Sequence, residues 1–542
     1  MNLHVPTRAL IACAATLFWL SNAPGALLPE LQPVDRDELA RMPASAQLVV
    51  AVSDVQGVRA TRAGQALGEF LTEVGTWNRS RQAWEALAGS LGFAPGDAIS
   101  HLSSGRVLLL AQGLDSENPM HALLGAVPPD VERRVRERLR PVPRQVEEQT
   151  SLLTLEGGAF WVATSLNTDP PEVDLLIAPK ASQALFEDVA PVLSGQPAPA
   201  PLGATSAFAA LKGLRPGGVE VLYAAPATPA QSTPVFALSG DLTSNLVDAR
   251  FAATPEMLTE PVVHTPWPAR AADVMGRNSL LFVAGSPTWP EPPKRAATGD
   301  LLAQASQTLL VTLLGNLNLT PELKSHVKGV AMFSAQAEPE VPGAPPEPMS
   351  LSIAVPVDSM ASIIPKFDLF MARFAGAADL AGASGPLAEA GQGAVRVLSL
   401  SGKELPLLAG AFGAGSGARG SVAWGFVRAD SEPDSGWWVL CVRGGEREEA
   451  VAAAGVQELC AALAEPRDPE DETVFALAVR PAELVARAAL ATRSEARNPL
   501  RWLARVDTSM RRHTDGEFTG AIRIEMNDRL LDAAPSAPPL GK

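Results

Sequence analysis

The sequence predicts an α+β protein made of two related halves, each a mostly antiparallel or mixed sheet with helices packed on it. Three observations lead there. Apolar runs of strand length alternate with longer stretches of helical periodicity. The same succession of strands and helices occurs twice along the chain. Stretches rich in Pro or Gly, at 195–201, 224–234, 287–293, 338–348 and 375–393, fall between elements as linkers do. The 542 residues exceed what one core supports and suit two to four domains of roughly 100–200 residues each. The expected divisions are a leader at 1–26, a first half at 27–260, a second half at 261–532 and a disordered Pro-rich tail at 533–542.

The leader reads as a signal peptide. Arg8 precedes the apolar run Ala9–Leu20, and small residues from Ser21 to Ala26 offer cleavage after Gly25 or Ala26. That run is shorter than the roughly 20 residues a spanning helix needs. Leu10-Ile11-Ala12-Cys13 has the spelling of a lipidation box, but it opens the apolar run, where such a box should close it. No other segment is apolar for 18 residues without interruption, so no transmembrane span is expected in the mature chain.

The first copy opens with the strand Leu48–Val52, then helices at Thr61–Val74 and Arg81–Leu91. Strands Arg106–Ala111 and Ala122–Val127 follow, then the charged helix Asp130–Leu139. Strands near Ser151–Leu155, Ala159–Thr164 and Val173–Ala178 lead to the helix Ser182–Leu193. The second copy runs through the strand Leu280–Ala284, the helix Thr298–Leu314 and the strands Gly329–Ala335 and Met349–Val357. It continues with the helix Met360–Phe374, strands Val395–Leu400, Ser421–Arg428 and Trp437–Val442, and the helix Glu446–Leu463. Each copy ends in a further strand-rich segment, 206–255 and 472–530.

Periodicity assigns faces. Met349, Leu351, Ile353, Val355 and Val357 alternate with smaller or polar residues, the mark of a half-buried strand, and Pro356 suggests a strand end or edge. Val422, Trp424 and Phe426 share one face. Trp437–Val442 and Val107–Ala111 are apolar throughout, as in strands covered on both sides. Leu302, Ala305, Leu309 and Leu313 form one helical stripe. Trp437 and Trp438 are neighbours on a strand, so their rings point to opposite faces, and packing under helices is the expected use of both.

Composition narrows function. The net charge of -15 disfavours binding to nucleic-acid backbones or anionic lipid. With Cys13 lost in the leader, Cys441 and Cys460 remain. Counting from a helix start near Glu446 places Cys460 about 20 Å along the axis, beyond bridging distance, so two buried free thiols are expected. Gly415-Ser416-Gly417-Ala418-Arg419-Gly420 spells a dinucleotide-binding pattern, but an apolar strand follows where a helix is required. Ser325-His326-Val327-Lys328 spells the nucleophile motif of penicillin-recognising enzymes without its companion motifs, and reads as a polar lead-in to the next strand. His101, His121, His264, His326 and His513 are scattered singly. Glu132, Arg133, Arg134, Arg136, Glu137 and Arg138 read as a solvated helix face with a Glu132–Arg136 pair. No catalytic, cofactor-binding or metal-ligating residue is assigned, and no cofactor is expected.

The opening of the first copy, Met42-Pro43-Ala44-Ser45-Ala46-Gln47 followed by Leu48–Val55, continues through Gly64–Phe70, Trp84 and the strand Gly105–Leu110. It resembles a family of exported bacterial proteins of unknown function, and Val173–Leu193 resembles their later parts. The resemblance implies a signal peptide and an exported α+β protein; no catalytic residue comes with it. The expectation is a periplasmic or secreted protein that binds an envelope component or extracellular ligand without catalysis. An exported hydrolase with a site assembled from scattered residues, and a binder of lipid or apolar ligands, are the alternatives.

Overall fold

The five apolar residues Leu48–Val52 form β1, buried along its whole length. The computed structural model describes residues 31–74, 105–114, 119–141, 152–165, 173–225, 235–254, 267–285, 329–336, 350–374, 388–390, 393–401, 419–428, 434–444, 449–465, 473–492 and 498–533, apart from 244, 278 and 515, together with 89, 116, 323 and 325–327. The leader, the helix expected at Thr298–Leu314, nearly all of Arg81–Leu91 and the tail after Ala533 lie outside the described residues.

On one side β1 pairs with β2 (Val107–Gln112), which leads through β3 (Met120–Val127) to the later strands β4 (Arg140–Pro141), β5 (Leu152–Gly157), β6 (Phe160–Ser165) and β7 (Val173–Pro179), in the spatial order 2-3-7-6-5-4. On its other side β1 pairs with β8 (Val219–Ala224), then β9 (Val235–Leu242) and β10 (Leu246–Ala253). The remaining strands are β11 (Ser279–Gly285), β12 (Ala331–Gln336), β13 (Ser350–Val357), β14 (Ala388–Ala390), β15 (Gly393–Ser401), β16 (Arg419–Arg428), β17 (Gly436–Gly444), β18 (Thr473–Val479), β19 (Leu503–Arg512) and β20 (Phe518–Met526).

Strand β10 pairs with β20, and through that pair all 20 described strands form one sheet. From end to end the order is 4-5-6-7-3-2-1-8-9-10-20-19-18-11-12-13-17-16-15-14. Read inward from its own end, the second set of ten repeats the first with ten added to each strand number. Every pairing among the described strands is antiparallel, so the fold is α+β and these strands show none of the parallel pairing a mixed sheet would have. Both ends carry very short strands, Arg140–Pro141 and Ala388–Ala390, which blunt a sheet edge.

The described helices are α1 (Arg36–Arg41), α2 (Val55–Ala60), α3 (Arg62–Val74), α4 (Pro129–Arg138), α5 (Gln183–Leu193), α6 (Ser206–Lys212), α7 (Ala269–Gly276), α8 (Met360–Phe374), α9 (Glu449–Ala464), α10 (Pro481–Thr492) and α11 (Arg529–Ala533). Local chemistry starts several of them. Asp35 caps α1 by accepting from the Asp37 and Glu38 amides, and Asp54 caps α2 by accepting from Gly57. Pro129 opens α4, where its missing N–H costs no helical bond.

The period-2 alternation of each strand sorts its residues between two layers. Val49 and Ala51 join the core under α5 and α6. Leu48 and Val50 face the other way, into a core shared with Val283, Phe333, Val355 and Trp438 of the second ten strands. Phe282 and Ala284 face α7 and α9. Strand β13 corrects an expectation: Ser350, Ser352 and Ala354 are buried along with Ile353, Val355 and Val357, because the sheet is covered on both faces there. Pro356 lies past the last residue paired with β12, at a strand end, while β13 itself is interior.

Helix α3 leaves the first ten strands and packs on the end of the chain. Ala63 and Ala66 lie against Trp502 and Met526, and Arg62 pairs with Asp528 at 2.7 Å and Asp532 at 2.8 Å.

Candidate functional site

The register places Val52 opposite both Val107 and Val219, and Val127 opposite Val173. Arg106, Asp174 and Glu220 therefore emerge at the same end of neighbouring strands. Helix α1 brings Arg36 and Glu38 to that end. Arg106 donates through Nη1 to Glu38 Oε2 and through Nη2 to Asp174 Oδ1. Arg36 donates from Nε to Glu220 Oε1 at 2.8 Å and from Nη1 to the Leu214 carbonyl at 2.9 Å. Ser239 donates to the same Glu220 oxygen at 3.2 Å.

Burial decides the electrostatics of this cluster. Glu38 is only 5% exposed. Loss of solvent pushes its carboxyl up to about 7; Arg106 pulls it down, and the like charge of Asp174 pushes it further up. Burial also raises Glu220, with Arg36 and Ser239 opposing. A carboxyl that exchanges a proton near neutrality beside a cation is the kind of group found at functional sites, and it also serves in structural ion-pair networks. No sequence pattern marks it, since 68 residues separate Glu38 from Arg106, and another 68 separate Arg106 from Asp174.

His326 and Asp358 are the second candidate. His326 Nδ1 lies 2.6 Å from Asp358 Oδ1, with side chains 24% and 40% exposed. The Asp358 amide donates to the His326 carbonyl at 3.0 Å, and Val327 pairs with Val357, so backbone contacts hold the two together. Ser359, next in sequence, has φ +55°, a costly conformation for a residue with a Cβ. Lys328 lies outside the described residues, as do His101, His264 and 415–418 of the Gly-rich pattern. Burial lowers the pKa of His121, and His513 Nε2 lies 2.8 Å from Thr519 Oγ1. Among the described residues no three or more His, Cys, Asp or Glu side chains are grouped to hold a metal ion.

Two local expectations change. Glu132 is buried rather than solvated: Arg136 reaches both of its oxygens at 2.6–2.9 Å, and Thr164 donates to it at 3.0 Å. The first turn of α4 lies beside β6, so Glu132 points inward while Arg133, Arg134, Glu137 and Arg138 remain exposed. A groove of about 500 Å³ runs along this helix, lined by Pro129, Glu132, Arg133, Arg136 and Glu137.

The cysteines are closer than helix counting suggested. Helix α9 crosses β17 so that a Cβ on Gly455 would sit 3.4 Å from Cys441 Sγ. Cys460 is five residues further, about 7.5 Å along the axis, because the crossing lies mid-helix and not at its start. Both thiols are free, and burial pushes Cys441 up to about 11 and Cys460 up to about 12. The tryptophans lie on opposite faces: Trp437 packs among α7 and α9, and Trp438 stacks on Phe367 with ring centres 4.3 Å apart.

No family model matches the chain, and no curated protein matches it. A solved structure, crystal form I of TP0453, shows a likeness at TM-score 0.23 and 8% identity, over 44% of this chain and 83% of that one. A likeness that low carries no argument. No helix among the described residues is long and apolar enough to cross a membrane.

Proposed function

We propose that this is an exported protein, periplasmic or secreted, that acts by binding an envelope component or extracellular ligand rather than by catalysis. One observation carries the non-catalytic part: the three buried carboxylates among the described residues are occupied in fastening elements to one another. Glu38 ties α1 to Arg106, Glu220 ties β8 to Arg36, and Glu132 ties α4 to Thr164 of β6. The two thiols are held far above the range in which they become nucleophiles. A catalytic base or nucleophile needs instead a partner and an approach path for substrate.

The repeated strand order supports a second part of the reading, that the chain consists of two related halves meeting at β10 and β20. The leader supports export. N-terminal sequencing of protein recovered from outside the cytoplasm should start at Ala26 or Leu27; an intact Met1 on the recovered protein would sink the export reading.

The His326–Asp358 pair favours a second reading, a hydrolase. A carboxylate on Nδ1 orients an imidazole so that Nε2 can act as base. Assay against a panel of esters, peptides and glycans separates the two. Binding without turnover is expected; turnover abolished by His326→Ala would establish the hydrolase.

A further inference from the structure

We propose that the Glu38–Arg106–Asp174 cluster is a proton-operated latch, fastening the segment Val34–Met42 to the sheet in mildly acid surroundings and slackening it toward neutrality. Helix α1 has six residues, too few to persist on helical propensity alone, so its contacts hold it in place. Backbone bonds run from the Val34 amide to the Gly217 carbonyl at 2.9 Å and from the Leu202 amide to the Met42 carbonyl at 2.6 Å.

The charged groups facing Glu38 are Arg106 ahead of β2, Asp174 on β7, and Asp35 and Arg41 from its own segment. With Glu38 ionised, two cations face three anions. Arg106 must divide its guanidinium between two carboxylates, and its buried Nε has no hydrogen-bond partner. With Glu38 protonated, Asp174 keeps Arg106 and the buried carboxyl is neutral. Ionisation therefore penalises the docked segment and not the released one, and by linkage docking takes up a proton. The Glu38 carboxyl, raised to about 7 when docked, sets the range. Arg36, in the same segment, is held separately by Glu220, a second carboxyl that burial raises.

Hydrogen exchange on the full chain tests this, with each rate referred to its intrinsic value at that pH. Between pH 5.5 and 8.5 the protection of amides in 34–42 should fall by roughly tenfold or more, with the fall complete near pH 7. Glu38→Gln should remove most of the pH dependence, leaving what Glu220 contributes through Arg36. Asp174→Asn, at a site 35% exposed, removes the like charge and should shrink the fall and end it at lower pH. An unchanged wild-type profile overturns the latch, as does a fall as large in Glu38→Gln as in wild type, or one undiminished in Asp174→Asn. Equal protection in 34–42 and in β17 at every pH would also overturn it, because the segment would then open only with the whole fold.

Discussion

The ring of Phe251 lies over Gly520, its directly opposite neighbour in the strand pair that joins the two sets of ten strands. A Cβ on Gly520 would sit 2.3 Å from Phe251 Cζ, so the ring occupies the space a side chain would need. Phe236 stacks on the same ring at 5.9 Å, carrying the contact into β9. An aromatic ring covering a glycine across a ladder shields backbone that glycine leaves bare.

Gly520→Val should accordingly destabilise the protein by roughly 1–3 kcal/mol through overpacking. Adding Phe251→Ala makes room, so the double variant should lose less than the two single losses summed. Urea midpoints of the four chains measure this; strict additivity would show that the two residues do not compete for one space.

Phe367 and Trp438 are fully buried and stacked in the core that both sets of strands share. Phe367→Ala should cost about 3–5 kcal/mol, the usual range for deleting a core aromatic. Phe367→Leu should cost less, since it keeps most of the volume. Chemical denaturation followed by tryptophan fluorescence provides the measurement, and equal losses for the two variants would contradict a role in filling space.

Glu38 also predicts a pH slope in global stability. Its carboxyl titrates near 4.5 when unfolded and near 7 when folded, so the folded state holds the extra proton between those values. The contribution is fully present below about 4.5 and lost as pH rises to about 7, at an order of 3 kcal/mol. Other carboxylates bend the curve as well, so the difference between wild type and Glu38→Gln is the quantity to plot. A difference that stays flat across this window would refute the assignment.

The thiols predict slow modification. With Cys441 raised to about 11 and Cys460 to about 12, little thiolate exists at pH 8. A thiol reagent at pH 8 should label the native chain far more slowly than the denatured one. Labelling of native protein at the denatured rate would contradict the burial of Cys441 and the partial burial of Cys460.

Elements bounded by local chemistry were legible in the residues. Leu48–Val52 and Met360–Phe374 coincide with the predicted strand and helix, because the first is an unbroken apolar run and the second is a long amphipathic stretch following the strand end at Val357. Misreadings arose where a neighbour distant in sequence supplied the cover. Ser350 and Ser352 looked solvated, and the layers packed over β13 bury them. Glu132 looked like a surface charge until Thr164, 32 residues away, closed over it. The cysteine spacing failed because axial counting fixes distance along a helix and not where that helix crosses a strand.

By itself the sequence determined the α+β class, the buried faces of strands such as β16 and β17, and the pairing of the Trp437 and Trp438 rings with opposite layers. These follow from periodicity, a property of a few adjacent residues. The tertiary structure alone decided that the strands form one antiparallel sheet through Phe251 and Gly520, and that Glu38 meets Arg106 and Asp174. Strand order and the proton affinity of a buried carboxyl depend on groups brought together by packing, and no local pattern encodes which distant strand end will meet which helix.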